Sequence, residues 1–243
     1  MSLITFAELI NEPPRVHAGR TVTWQIHPDL AMFLDETLEP GHVTFETGSG
    51  LSTLVILRKQ VTRHIAVSPD PDEFEVIRGF CQERGLDTRP LNAIVAKSQD
   101  YLPFADLPAL DLALIDGDHC FPLPFIDWFY TANKLKVGGW LVVDDADIVT
   151  GTFLADFMRA DPKWQEVKRH PASRFAIYKK LRHPIHDGNW WNQPYLKDQY
   201  PTKLLKIVRR RPPGFLERAL AKTLPWRLVQ VPLKARFDWP RRD

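Results

Sequence analysis

The stretch that decides the fold of this 243-residue chain is Val43-Thr44-Phe45-Glu46-Thr47-Gly48-Ser49-Gly50. Residues 43–45 predict a short strand, and residues 52–59 predict a helix whose first turn faces the two glycines. Gly48 and Gly50 allow the backbone to approach a ligand closely, and the amide groups at the start of the helix point into the same gap. The stretch is therefore typical of a strand, turn and helix unit with a ligand beyond the strand's carboxyl end.

Short apolar runs alternate with longer periodic stretches around this unit, a pattern typical of an α/β fold. The pair Gly138-Gly139 is expected to turn the chain into the fifth strand, and His170-Pro171-Ala172-Ser173 is expected to join two antiparallel strands. We predict an α/β, doubly wound sheet that is mostly parallel and has an antiparallel edge hairpin. The predicted strands are 43–45, 64–67, 93–96, 110–115, 140–143, 164–168 and 175–179, and the predicted helices are 28–38, 52–59, 72–84, 125–135 and 153–160.

Charge divides the chain into two parts. Residues 181–243 contain 14 Lys or Arg and 5 Asp or Glu, a net charge of +9, whereas residues 1–180 carry a net charge of −7. We therefore predict a ligand-binding domain over residues 1–180 and a basic, aromatic extension over residues 181–243.

The apolar stretches and the cysteines indicate where in the cell the protein is expected. The longest apolar runs fall far short of the roughly 20 residues that cross a bilayer, and the N-terminus has no basic segment followed by an apolar one. Cys81 and Cys120 are too few for a disulfide framework. We expect a cytoplasmic protein, with peripheral membrane contact through the extension as a further expectation.

Glu46 and Thr53 distinguish between two classes of ligand. A dinucleotide site prefers a third glycine where this chain has Thr53, so hydride transfer is disfavoured. A carboxylate at Glu46 complements the ammonium of an amino-acid-like ligand. The stretch Phe45-Glu46-Thr47-Gly48-Ser49-Gly50 resembles the first motif of class I S-adenosylmethionine-dependent methyltransferases, and the resemblance covers about residues 25–180.

This resemblance implies a Rossmann-like methyltransferase sheet and a set of cofactor contacts. One departure concerns the ribose, because family members end the second strand with an acidic residue where this chain has Ser68, followed by Asp70. Ser98 resembles the residue that borders the adenine, although a helix-capping serine explains it equally well. The implied cofactor-binding residues are Glu46, Gly48, Ser49, Gly50, Ser52, Thr53, Ser68, Asp70, Ser98 and Asp116.

Carboxylates follow the fourth and fifth predicted strands. Because adjacent parallel strands deliver their ends to one edge of the sheet, we expect Asp116, Asp144 and Asp145 to converge, and carboxylates at short range repel one another. A hard divalent cation such as Mg²⁺ would relieve this repulsion. The arrangement resembles metal-dependent O-methyltransferases, which implies these three aspartates as metal ligands. The alternative is that they cap turns, with Asp116 facing the cofactor without a metal.

His119 stands three positions after Asp116, where catechol-type enzymes carry a lysine base. The resemblance thus implies His119 as the catalytic base, with Asp116 beside it, and a histidine hydrogen-bonded within the turn is the alternative. We expect S-adenosylmethionine-dependent O-methylation of a small molecule or sugar. A non-catalytic module that binds a membrane or polyanion is a second interpretation, and other chemistry at the metal site, such as hydroxylation or hydrolysis, is a third.

The extension contains a short amphipathic basic helix, since Phe215, Leu216, Ala219, Leu220 and Leu224 share one helical face. Three interpretations remain open. It packs against the acidic body or a second subunit, which would make a homo-oligomer; it rests on an anionic membrane surface; or it holds a polyanion such as nucleic acid, the partner that the sequence favours least.

Overall fold

A computed structural model describes residues 3–17, 25–172, 174–185 and 193–199 of the chain. The chain divides into two compact units, Met1–Asn189 and Trp190–Asp243. In the second unit the described helix is α8 (Pro194–Gln199). The first unit contains helices α1 (Phe6–Asn11), α2 (Pro28–Thr37), α3 (Leu51–Arg58), α4 (Pro71–Arg84), α5 (Ser98–Tyr101), α6 (Leu123–Ala132) and α7 (Val149–Ala160), and strands β1 (Val43–Thr47), β2 (Arg63–Ser68), β3 (Leu91–Val95), β4 (Leu110–Ile115), β5 (Leu135–Asp144), β6 (Trp164–Arg169) and β7 (Phe175–Lys180).

The seven strands form one sheet in the order β3-β2-β1-β4-β5-β7-β6. Strands β1 to β5 are parallel to one another, and β7 runs antiparallel to both β5 and β6. The predicted doubly wound sheet with an antiparallel edge hairpin is confirmed. The chain reverses its winding direction between β1 and β4, and a crevice opens at such a point beyond the carboxyl ends of the strands.

Helices cover both faces of the sheet and form two apolar clusters. Leu112 and Leu114 of β4 join one cluster, with α2, α3 and α4, while Ala113 and Ile115 join the other, with α6 and α7. This division follows from the alternation of side chains along a strand. Because both faces of β4 are covered, the strand is apolar almost throughout.

Local signals explain where helix α4 begins and ends. The Asp70 side chain accepts a hydrogen bond from the Asp72 amide at 3.0 Å, and Pro71 occupies the first helical position, where no amide hydrogen is needed. The helix stops at Gly85, which has φ +70°, a left-handed conformation that glycine adopts without strain.

The structure corrects the expected turn at Gly138-Gly139. Both glycines lie inside β5, which begins at Leu135 and continues to Asp144. The register between β4 and β5 shifts between Leu110 and Leu112, and Gly138 has φ +86°. The pair therefore forms an irregularity within a paired strand. Helix α1 and helix α5, which the sequence did not predict, are also present.

The C-terminal hairpin is bound to the rest of the domain through Lys180. Its buried ammonium group donates hydrogen bonds to the carbonyl oxygens of Ala132, the last residue of α6, and Leu135, the first residue of β5, each at 2.6 Å. Burial lowers the pKa of Lys180 to about 8. The bond to Ala132 satisfies a carbonyl that a helix end otherwise leaves without an intrahelical partner, and the bond to Leu135 fixes the start of β5.

The described part of the chain contains no helix that is both long and apolar enough to cross a membrane. The predicted amphipathic helix at residues 215–224 and the basic segment around it lie outside the described residues. The division after residue 180 and the partners of the extension therefore stay predictions.

Candidate functional site

A cavity of about 670 Å³ opens at the carboxyl ends of the central strands. Its size is that of a site for a small organic ligand. The loops after β1 to β5 and the N-terminal segment around His17 line it. Most residues singled out from the sequence lie on its wall, namely Gly48, Ser49, Gly50, Ser52, Ser68, Asp70, Ser98, Asp116, His119, Asp144 and Asp145. Glu46 and Thr53 are not among the lining residues.

Gly48 gives the loop after β1 its shape. Its φ is +93°, and its amide donates to the carbonyl of Val67 on β2 at 2.8 Å. A Cβ at this position would overlap the carbonyl oxygen of Asp116. Residue 48 therefore has to be glycine for the loops after β1 and β4 to meet.

Glu46 lies beneath the loop and is fully buried. Its Oε1 accepts a hydrogen bond from the Thr53 hydroxyl and lies 2.9 Å from Nε2 of His64, whose Nδ1 is 2.9 Å from the Thr44 hydroxyl. Thr53 thus connects the start of α3 to the end of β1. Among the described residues, no group forms a hydrogen bond with Oε2 of Glu46. A buried carboxylate oxygen without a hydrogen-bond partner is suited to accept a hydrogen bond from a cationic group of a ligand.

Glu73, in the first turn of α4, places a carboxylate next to the end of β2, and the sequence did not predict it. Its Oε2 accepts hydrogen bonds from the hydroxyls of Ser68, at 2.5 Å, and Ser49, at 2.7 Å. Its Oε1 lies 2.8 Å from Nδ1 of His17. An acidic group therefore does stand beside Ser68, five residues further along the chain than the family pattern places it, and it lines the cavity.

Hydrogen bonding determines the charge state of Glu73. Burial alone would raise its pKa, but the bonds from His17, Ser68 and Ser49 together outweigh that effect and lower it. Glu73 is therefore an anion at neutral pH. The sequence signal was ambiguous, because Asp70 and Glu73 are spaced as a capping pair. In the structure Asp70 caps α4, and Glu73 turns toward the cavity.

Ser98 and Asp127 lie close together, and Asp127 lies next to Gly117 in the loop after β4. Ser98 is buried at the start of α5, and Lys97 holds the N-cap position, so the capping explanation for Ser98 does not apply. Asp127 on α6 is fully buried behind the loop. Burial raises the pKa of Asp127 to about 6, although the hydroxyls of Ser98 and Thr47 act in the opposite direction.

The ends of β4 and β5 bring His119 and Asp145 together. Nε2 of His119 lies 3.1 Å from Oδ2 of Asp145, and the guanidinium of Arg174 lies 3.6 Å from Oδ1. Asp145 has φ +45°, a strained conformation for a residue with a side chain. Gly151 makes room for it, since a Cβ there would lie 2.5 Å from the Asp145 carbonyl oxygen.

The carboxylates at this end of the cavity differ in pKa. Burial first, then the charges of Asp144, Asp145 and Glu46, raise the pKa of Asp116 well above its usual range. Burial also raises that of Asp144, to about 7. Asp145 has a lowered pKa, because His119 hydrogen-bonds to it, and the same bond raises the pKa of His119. At Asp144 the charges of Arg174 and His119 act in the opposite direction but only partly offset the effect of burial.

Asp116, His119 and Asp145 fit a divalent cation in part. One potential ligand atom from each lies within 4.8 Å of the other two, and Asp144 is not in that group. The geometry therefore brings together two of the three predicted ligands and adds His119. Asp118 and Asp147 make contacts outside this group. Asp118 accepts a hydrogen bond from the Cys120 amide at 2.8 Å, and Asp147 lies 3.9 Å from the guanidinium of Arg174.

A second group of potential ligands, His27, Asp29 and His170, lies elsewhere on the surface. The Nδ1 atoms of both histidines accept backbone amide hydrogens, at 3.1 and 3.2 Å. A neutral imidazole bonded in this way carries its proton on Nε2 and offers no lone pair to a cation. This group is therefore not a metal site.

Residues 45–146 match the family model described as "Methyltransferase domain". No curated protein sequence matches the chain. The cofactor-bound structure of Rv0187 from MTB is 20% identical, with a TM-score of 0.58 over 70% of this chain and 87% of that one. The O-methyltransferase TomG from Streptomyces achromogenes, involved in tomaymycin synthesis and solved with S-adenosylmethionine, is 14% identical, with a TM-score of 0.54 over 66% and 83%. A methyltransferase from Geobacter sulfurreducens is 12% identical, with a TM-score of 0.53 over 64% and 80%.

Proposed function

Because residues 45–146 match a methyltransferase-domain model and the sheet has the fold of class I S-adenosylmethionine-dependent methyltransferases, we propose that the protein transfers a methyl group from S-adenosylmethionine to an oxygen of a small molecule or sugar. The observation that carries the proposal is the pair His119 and Asp145, 3.1 Å apart at the edge of the cavity that the glycine loop bounds. A paired histidine beside a cofactor cavity provides a base for a hydroxyl group.

The residues around the cavity fit S-adenosylmethionine along its length. Oε2 of Glu46, to which no described residue hydrogen-bonds, is suited to the ammonium group, although Glu46 is buried beneath the loop. Gly48, Ser49, Gly50, Ser52 and Thr53 form and support that loop. Ser68, Asp70 and Glu73 are suited to the ribose, with Glu73 as the acceptor of its hydroxyl hydrogens. Ser98 and Asp116 complete the proposed contacts.

His119 acts on the methyl acceptor in this proposal. S-adenosylmethionine supplies a sulfonium methyl group that is already electrophilic. His119 accepts the proton of the acceptor hydroxyl as its oxygen forms a bond to the methyl carbon and the carbon–sulfur bond breaks. Asp145 stabilises the imidazolium that results, and Asp116 faces the same end of the cavity. Most of the rate enhancement comes from alignment of the acceptor oxygen with the methyl carbon.

A divalent cation such as Mg²⁺ assists the reaction in the proposal. Asp116, Asp144 and Asp145 would hold it, and it would stabilise the alkoxide or phenolate oxygen of the acceptor. The raised pKa values of Asp116 and Asp144 support this part, because a bound cation would stabilise the charged form of carboxylates that burial disfavours. His119 lies within reach of the same point, so it would serve as ligand or base and not as both through one nitrogen.

Two measurements test the proposal. Isothermal titration with S-adenosylhomocysteine should show binding at one site, and the absence of binding would contradict the cofactor assignment. A screen with methyl-labelled S-adenosylmethionine should then find label on phenols, alcohols or sugars. Label on amines alone would contradict the oxygen assignment. Activity lost in EDTA and restored by Mg²⁺ supports the cation, whereas full activity in EDTA overturns that part only.

A further inference from the structure

The N-terminal segment contributes one side chain to the cavity. Ile4, Leu9 and Val16 are buried in the apolar cluster on one face of the sheet, so the segment from α1 to His17 is packed against the domain. His17 follows directly and lines the cavity. A residue far from the methyltransferase motifs in sequence therefore reaches the cofactor site.

His17 touches two separate parts of that site. Its Nδ1 lies 2.8 Å from Oε1 of Glu73, and its Nε2 lies 3.5 Å from the position that a Cβ on Gly50 would occupy. The imidazole therefore stands between the glycine loop and the carboxylate proposed for the ribose. A cofactor that follows the loop toward Glu73 would pass beside it.

Among the described residues, the three hydrogen-bond partners of Glu73 come from different parts of the chain. Ser49 and Ser68 belong to the loop after β1 and to the end of β2, and both of them bond to Oε2. His17 comes from outside the sheet and holds Oε1. The orientation of the carboxylate about its last side-chain bond therefore depends on His17, because the serines constrain one oxygen only.

We propose that His17 is a positioning residue, which fixes the Glu73 carboxylate so that it binds the ribose hydroxyls of S-adenosylmethionine. This inference rests on the proposed function. It assigns to the N-terminal segment a share of the cofactor affinity that the matched region, residues 45–146, does not contain. The hydrogen bond to a charged acceptor is of the stronger kind, so its loss has a measurable effect.

The test uses the full chain and three variants. His17→Ala removes the donor, His17→Asn places an amide nitrogen near the position of Nδ1, and His42→Asn is the matched control, since His42 does not line the cavity. Titration with S-adenosylhomocysteine should show a dissociation constant about tenfold higher or more for His17→Ala. His17→Asn should recover most of the affinity, and His42→Asn should match the native chain.

A second ligand separates positioning from a general structural role. The analogue of S-adenosylhomocysteine that lacks both ribose hydroxyls should bind His17→Ala and the native chain with equal affinity, because the contact that His17 supports is missing from both complexes. An equal loss with both ligands would overturn the proposal, as would unchanged binding of S-adenosylhomocysteine by His17→Ala. If the native chain itself fails to bind S-adenosylhomocysteine, the proposed function is wrong and this inference falls with it.

Discussion

Asp145 and His119 are brought together from the ends of two neighbouring strands, with 3.1 Å between Oδ2 of the aspartate and Nε2 of the histidine. The aspartate has φ +45°. A backbone conformation that costs free energy and a charged contact therefore coincide at one residue, as is common at functional sites.

The first prediction concerns the titration of His119. The bond to Asp145 raises the pKa of His119 above 6.5, so the imidazole stays protonated to a higher pH than an isolated one. We expect methyl transfer to be lost as the pH falls through this raised value, because the base must be neutral. NMR titration of the ring proton measures the pKa. In Asp145→Asn, which tolerates the same backbone conformation, the pKa should fall. An unchanged pKa would contradict the assigned pairing.

The second prediction concerns cation binding. We expect one Mn²⁺ ion to bind, detected by electron paramagnetic resonance, with affinity that rises with pH because the proton on Asp116, whose pKa is raised, competes with the metal. Asp116→Asn and Asp145→Asn should each weaken binding at least about tenfold. Asp147→Asn is the control, since Asp147 lies outside the group of three ligand atoms. Equal Mn²⁺ binding by all four proteins would exclude this site.

The third prediction concerns Gly48. Gly48→Ala adds a Cβ that overlaps the Asp116 carbonyl at a positive φ, so we expect a loss of roughly 2 kcal/mol or more in the free energy of unfolding and a large loss of S-adenosylhomocysteine binding. Gly79→Ala is the control, because Gly79 lies in α4 and, apart from its own helix, no atom of the described residues lies within 4 Å of the added Cβ. That variant should gain about 0.5–1 kcal/mol. Urea denaturation measures both, and a stable Gly48→Ala variant that binds normally would refute the assigned loop geometry.

The fourth prediction concerns the buried carboxylate of Glu46. Glu46→Gln keeps an oxygen for Thr53 and His64 but removes the charge, so the fold should remain while S-adenosylhomocysteine binds about tenfold more weakly or worse. The analogue that lacks the amino group should bind both proteins equally. Isothermal titration provides the comparison. If the substitution weakens both ligands alike, Glu46 supports the loop and does not pair with the ammonium group.

The fifth prediction concerns Asp127 and the dependence of stability on pH. Its folded-state pKa of about 6 exceeds the usual 3.8, so the folded protein holds this proton more tightly than the unfolded chain does. The contribution of Asp127 to the free energy of unfolding therefore falls as the pH rises from 3.8 through 6, by about 3 kcal/mol in total. Asp127→Asn should be more stable than the native chain at pH 7.5, and the gain should shrink by pH 5. Urea denaturation at both pH values tests this, and a gain independent of pH would contradict it.

Much of the fold could be predicted from the sequence, because strand β4 and the hairpin strands have clear local patterns. The prediction of a turn at Gly138-Gly139 was wrong, because two glycines are as typical of an irregularity inside a strand as of a turn. The pairing of β5 with β4 decides between the two, and it begins where Leu135 pairs with Leu110, 25 residues earlier in the chain. Helix α1 is six residues long, too short for a periodic signal.

The site was predictable where its residues follow strands directly. The glycine loop, Asp116 and Asp145 were found because their positions come from the order of the strands. Glu73 was missed, since its spacing from Asp70 has an equally good local explanation. His17 was missed because a contact across 56 residues with Glu73 leaves no mark in either local sequence. The placement of Glu46 beneath the loop also depends on His64, a residue of another strand.

The position of β7 has a consequence for the order in which the protein is made. This strand lies between β5 and β6, yet it follows both of them in the chain. During synthesis, the edge of β5 that contains the apolar residues Leu141, Val142 and Val143 therefore stays unpaired until residues 175–180 have left the ribosome. Such an edge is a template for wrong pairing between nascent chains. Truncation before Phe175 should thus yield aggregates rather than a smaller folded domain.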